Sequence, residues 1–227
     1  MGKIALFGTS ADPPTRGHEK ILIWLADRFD RVAVWAADNP LKPGQTSLEH
    51  RLAMMRLLTA ELASSRSNLG FYPEISHPRT IETVQRSRRI WPNDSFTLVV
   101  GSDLIAQLPR WYRAEELLPQ VDILVVPRPG YPVDDEQVKK ISQRGTFVSI
   151  AHDLQVPAVS STEYRQRGNS NPVIPAVIEA YIQQENLYRY QKNITDIKAN
   201  NGSTYRKPSA IDLSTSTHIT HNPKSEL

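Results

Sequence analysis

The chain has 227 residues, 27 of them lysine or arginine against 24 aspartate or glutamate, for a net charge of +3 and 39% hydrophobic content. That balance fits a globular protein of one large α/β domain, or one domain and a tail, and excludes collagen-like and wholly disordered chains. The absence of cysteine removes disulfide scaffolds, thiolate nucleophiles and cysteine-bound zinc or iron–sulfur centres, so any chemistry rests on oxygen and nitrogen groups.

The first apolar run, Ile4–Phe7, is too short for a secretory segment, and no stretch reaches the roughly 20 apolar residues of a spanning helix. The expectation is a cytoplasmic protein with no membrane partner. The small positive excess argues against nucleic acid and suits a small anionic substrate.

Lys3–Phe7 reads as a buried strand entering a loop at Gly8-Thr9-Ser10. From His18 to Phe29 the apolar residues recur at helical spacing, and Arg31–Ala37 is a second strand, which makes a βαβ unit with a right-handed crossover. The alternation predicts helices over Leu48–Leu62 and Thr80–Arg89, with strands over Leu69–Ile75 and Phe96–Val100. It continues with a short helix Ala114–Leu118, a strand Ile123–Val126, a helix Glu136–Arg144 and a strand Thr146–Ala151. Helices Ser161–Arg167 and Pro175–Glu185 follow. The fold class is α/β, a doubly wound parallel sheet whose ligands sit beyond the carboxyl ends of the strands. The domain is expected over 1–190. Residues 191–227, polar and without period, are expected to form a disordered extension. His218 and His221 in that extension make a weak metal candidate, and no protein metal site is assigned.

The loop from Gly8 to His18 is small and glycine-bearing, and it feeds a helix N-terminus, which is a site for an anion. It is neither a P-loop nor a dinucleotide fingerprint, because the spacings differ. Thr15 and His18, three residues apart at a helix start, face the same side, with Gly17 open between them. Either they converge on a phosphate, or Thr15 caps the helix and His18 packs beside it. Ser160, Ser161 and Thr162 can cap a helix on which Arg165 follows one turn later, a second candidate for polyphosphate; the alternative is an ordinary capped helix with a solvated arginine. Asp103, at a strand's carboxyl end, can accept two ribose hydroxyls or cap a helix. Trp111 can stack on a pyridine ring or pack in the core. Lys42 and Arg128 are either anion contacts or solvated charges.

Gly8–His18, ending in Thr15-Arg16-Gly17-His18, resembles the GxFDPxHxGH signature of the nucleotidylyltransferase superfamily, and Val159–Arg165 resembles its ISSTxIR element. Asn39-Pro40-Leu41-Lys42, Thr80-Ile81-Glu82-Thr83, Gly101-Ser102-Asp103 and Leu108–Tyr112 are similar to segments of the nicotinate mononucleotide adenylyltransferases. The resemblance spans about residues 1–188. It implies adenylyl transfer from ATP to nicotinate mononucleotide, with Mg²⁺ held mainly by the ATP phosphates. It further implies catalytic roles for a protonated His18, for Thr15 on the α/β phosphate bridge and for Arg165 on the β,γ-phosphates. ATP contacts are implied at Gly8, Thr9, Ser10, Gly17, Gly101, Asp103, Ser161 and Thr162, and mononucleotide contacts at Lys42, Thr80, Thr83, Trp111 and Arg128. The chain departs from the pattern in having Thr15 where the nicotinate enzymes usually have histidine, and Ala11 where phenylalanine is usual. Nicotinamide mononucleotide or phosphopantetheine as acceptor, and an inactive nucleotide-binding regulator, are the alternatives; a homo-oligomer is left open.

Overall fold

The computed structural model describes residues 1–38, 42, 44–157, 160–167 and 173–188. The 191–227 extension, with His218 and His221, lies outside the described residues, as do Asn39, Pro40, Leu41 and Val159. The elements in chain order are β1 (Lys3–Thr9), α1 (Arg16–Ala26), β2 (Arg31–Ala36), α2 (Leu48–Ala63), β3 (Leu69–Phe71), α3 (Thr80–Ile90) and β4 (Ser95–Gly101). They continue with α4 (Ala114–Leu117), β5 (Asp122–Val126), α5 (Asp135–Ser142), β6 (Val148–Ile150), α6 (Ser161–Arg167) and α7 (Ala176–Gln184). All pairings in the six-stranded sheet are parallel, in the order β3-β2-β1-β4-β5-β6. The winding direction reverses between β1 and β4. A crevice opens at such a reversal, beyond the carboxyl ends of the strands.

Side chains alternate across a strand, so a sheet covered on both faces needs apolar residues at every position. In β1, Ala5 and Phe7 enter the core shared with Leu22 and Leu25 of α1, Met55 and Leu58 of α2 and Ile178 of α7. Ile4 and Leu6 enter the opposite core, with Ile81 and Val84 of α3, Ile105, Leu117 and Ile141.

Two predicted elements differ. The strand expected over Leu69–Ile75 stops at Phe71 and becomes a 3₁₀ turn, Pro73–Ile75, because Pro73 has no N–H to give to a ladder. The strand expected over Thr146–Ala151 is confined to Val148–Ile150. A 3₁₀ segment, Ser102–Arg110, occupies a stretch that the periodicity left without an element. No helix among the described residues is long and apolar enough to cross a membrane.

Gly8 has a packing reason for its lack of a side chain. A Cβ there would lie 2.4 Å from the indole carbons of Trp35 on the neighbouring strand, and Trp35 is itself buried. Gly8→Ala should therefore lower stability by about 1–3 kcal/mol. Thermal melting read by circular dichroism checks this, and an unchanged midpoint would contradict it.

Candidate active site

The loop between β1 and α1 brings Thr9, Ser10 and His18 to the carboxyl edge of the sheet, beside the point where the winding reverses. His18 is the third residue of α1, and its ring reaches back to the start of the helix. The Thr15 backbone N–H donates to Nδ1 at 3.1 Å, and the Thr15 hydroxyl lies 2.9 Å from the same nitrogen. An amide N–H can only donate, so Nδ1 is the acceptor and the ring proton sits on Nε2. Nε2 faces the Thr9 hydroxyl at 3.3 Å, and that hydroxyl also accepts the Ala11 N–H at 3.3 Å.

Thr15 is buried, and its hydroxyl is engaged with His18, so it orients the imidazole. His18 is neutral, not protonated. Withdrawal from water, then repulsion by Arg128 and Lys42, lowers its pKa from 6.5 to about 4. Because the unfolded chain binds this proton more tightly, His18 makes the fold less stable as pH falls through the window from 6.5 toward 4. Ring-nitrogen NMR of ¹⁵N-histidine-labelled protein should show the Nε2–H form at pH 7 and a midpoint near 4. A midpoint near 6.5 would contradict this environment.

Cationic side chains gather around this imidazole. Lys42 donates to the Ser10 hydroxyl at 3.0 Å. Burial and then Arg128, with smaller contributions from Arg165 and Arg51, lower its pKa. Arg128, on the loop after β5, donates from its backbone to Ser102 Oγ at 2.9 Å and from its guanidinium to Asp103 Oδ2 at 3.1 Å. Arg128, expected among the mononucleotide contacts, lies beside His18, Lys42 and Asp103. The other oxygen of Asp103, Oδ1, is buried, with no hydrogen-bond partner among the described residues. An unsatisfied buried carboxylate oxygen is costly, and a ligand hydroxyl would meet that need. Gly101 gives this pair its room, since a Cβ would stand 2.4 Å from Asp103 Oδ1 and 2.9 Å from Arg128 Nε.

The second motif lands on the first. Arg165 on α6 donates to the Asp12 backbone carbonyl, and Ser161 Oγ donates to the Pro13 carbonyl at 2.8 Å. Residues about 150 positions apart are thus fastened across one loop. The Ser161 hydroxyl is engaged in that tie; Ser160 Oγ caps α6 by accepting the Glu163 N–H at 3.0 Å, and Thr162 lies 3.5 Å from the Arg165 guanidinium. Gly17 is buried within the first turn of α1.

The remaining expected residues form a separate group. Arg79 lies over the Tyr112 ring at 4.0 Å, so the start of α3, with Thr80, meets the segment carrying Trp111. Trp111 is half-buried and packs on the second core. Thr83 is buried, with its hydroxyl 3.4 Å from the His77 carbonyl, which leaves it facing the protein interior. Among the described residues, no hydrogen bond or ion pair links this group to His18 or Arg165.

Arg51 and Asp12 were not singled out from the sequence. Arg51 is buried on α2 and donates to the carbonyls of Ala37 at 2.6 Å and Thr46 at 3.1 Å, tying together the loops that flank Lys42. In sequence it is one charged position beside an apolar stripe, indistinguishable from a solvated one. Asp12 carried a signal, the aspartate of the first motif, but a carboxylate in a loop does not reveal its partners.

Comparison with known proteins gives a consistent result. The cytidylyltransferase-like family model matches residues 6–167. A probable nicotinate-nucleotide adenylyltransferase of Synechocystis sp. is 43% identical over 199 residues, covering 82% of this chain and 99% of the relative. The nicotinate-nucleotide adenylyltransferase of Bacillus subtilis is 27% identical, covering 83% and 99%. The structure of Plasmodium falciparum nicotinic acid mononucleotide adenylyltransferase complexed with NaAD superposes with a TM-score of 0.69 at 22% identity, covering 83% and 98%.

Proposed function

Because the chain belongs to the cytidylyltransferase-like family and, within it, to the nicotinate-nucleotide adenylyltransferases, we propose that it transfers the adenylyl group of ATP to nicotinate mononucleotide. The products are deamido-NAD and pyrophosphate, in a step of NAD biosynthesis. The observation that carries the mechanistic reading is the His18 imidazole, fixed by Thr15 with Nε2–H toward Thr9, beside Lys42 and Arg128, with Arg165 close to Lys42.

A phosphate oxygen of the mononucleotide attacks the α-phosphorus of ATP, the bond to the β-phosphate oxygen breaks, and pyrophosphate leaves. The nucleophile is already anionic, so no general base is needed. Catalysis consists of alignment and of neutralising charge as it develops. His18 Nε2–H donates to an α-phosphate oxygen as a neutral donor, since a second proton on Nδ1 would oppose the Thr15 N–H. Arg165 holds the β,γ-phosphates with a forked donor set, and Lys42 and Arg128 offset the negative charge around them. Thr9, Ser10, Gly17, Ser161 and Thr162 shape the loop and helix start around that cradle. Asp103 Oδ1 takes a ribose hydroxyl. Thr80 and Trp111 receive the mononucleotide, the indole lying against the pyridine ring.

Among the described residues there is no cluster of three or more histidine or carboxylate side chains that could hold a metal ion. ATP enters as its Mg²⁺ complex, with the ion carried on the phosphates as part of the substrate. The compartment proposed is the cytoplasm.

Incubation with Mg·ATP and, in turn, nicotinate mononucleotide, nicotinamide mononucleotide and phosphopantetheine tests the assignment. Deamido-NAD and pyrophosphate should form fastest with the first. Preference for another acceptor would move the substrate assignment, and no pyrophosphate with any acceptor would point to the inactive regulator.

A further inference from the structure

We propose that Tyr188 is a positioning residue for the triphosphate site, acting through the buried Asp12 carboxylate to leave Arg165 available to phosphate. The inference rests on the reading of Arg165 given above and concerns how that side chain is kept poised.

The Asp12 side chain is fully buried and turned into the protein. Oδ1 accepts the Tyr188 hydroxyl at 2.7 Å, and Oδ2 accepts the Thr46 N–H at 3.0 Å. The Arg165 guanidinium stands 3.7 Å from Oδ2, beyond hydrogen-bond length. The carboxylate is therefore satisfied by a phenol and an amide, and the arginine is only adjacent to it. Arg165 is shared between two anions, the carboxylate behind it and the phosphates in front.

The chain is built to deliver this hydroxyl. After α7, Asn186 and Tyr188 take left-handed backbone conformations, φ 54° and 62°, which asparagine tolerates and a bulky residue such as tyrosine rarely adopts. The Leu187 N–H closes the turn onto the Ile182 carbonyl at 3.0 Å. The Tyr188 ring then lies edge-on to Tyr164, with centroids 5.9 Å apart, and Tyr164 immediately precedes Arg165. Burial, partly offset by Thr46 and reinforced by Asp12, raises the phenol's pKa, so it stays a donor.

Without this hydroxyl, Asp12 Oδ1 is left buried and unpaired, and the nearest cation able to answer it is Arg165. The guanidinium would move toward Asp12 and off the triphosphate, weakening ATP more than the mononucleotide.

Tyr188→Phe in the full chain keeps the ring and removes one oxygen. It should weaken ATP about five- to tenfold, in KM and in direct calorimetric titration, with KM for the mononucleotide changed less than twofold. Tyr181→Phe, whose hydroxyl meets His50 instead, should match the parent chain. In an Asp12→Asn background, where no carboxylate pulls on Arg165, the same Tyr188 substitution should alter ATP affinity less than twofold. An unchanged ATP affinity in Tyr188→Phe, equal losses for both substrates, or an undiminished effect in the Asp12→Asn background would overturn the proposal. Calorimetry reads ATP binding without turnover. A parent chain that binds ATP but forms no deamido-NAD would therefore fail the functional reading and not this one.

Discussion

His18→Ala should lower kcat and kcat/KM together by about 10²–10³-fold, the usual cost of losing one preorganised donor to a developing oxyanion, while KM for ATP changes little. The reason lies in the order of the contacts. The imidazole is held before substrate arrives, by the Thr15 N–H at 3.1 Å and hydroxyl at 2.9 Å, and Nε2–H is its remaining donor. Its spare contact, to Thr9 at 3.3 Å, is long and easily exchanged for a phosphate oxygen. A donor already in place adds most where charge is greatest, in the transition state, so its removal appears in turnover. Steady-state kinetics checks this. A raised KM for ATP with intact kcat would show that His18 acts on the ground state alone.

Arg165→Ala should behave differently, with kcat/KM for ATP falling by about 10²–10³-fold as KM itself rises. Each charge-assisted hydrogen bond to phosphate contributes about 1.5–3 kcal/mol, and a forked guanidinium can make two. The same change removes the donor to the Asp12 carbonyl and the cation beside the buried Asp12 carboxylate, so a lowered melting temperature should accompany the kinetic loss. Arg165→Lys restores charge but not the fork, and should recover only part of the ATP affinity. Unchanged KM for ATP in the alanine variant would remove Arg165 from the triphosphate site.

Much of this arrangement was legible in the chain. Glycine, proline and an abrupt change from period two to helical spacing mark the passage from β1 through the loop to α1, because each acts locally. The three-residue separation of Thr15 and His18 likewise places both on one side of a helix start. What that separation does not reveal is whether the hydroxyl points at a ligand or at the neighbouring ring; the structure turns it to Nδ1. Arg128 illustrates a related difficulty. Its proximity to His18 depends on β4 and β5 lying side by side, with Gly101 opposite Val126, which no local pattern encodes. β3 stops at Phe71 although Ile75 extends the apolar run, because Pro73 cannot donate to the ladder. Asp12 and Tyr188, 176 positions apart, meet only through the whole fold.

A crystal structure of the chain with a non-hydrolysable ATP analogue and Mg²⁺ tests the central claim most directly. One bound triphosphate should lie at the carboxyl edge between β1 and β4, with His18 Nε2 at about 3 Å from an α-phosphate oxygen and the Arg165 guanidinium on the β- or γ-phosphate of that molecule. An analogue held there with either side chain turned away from its phosphates would contradict the account.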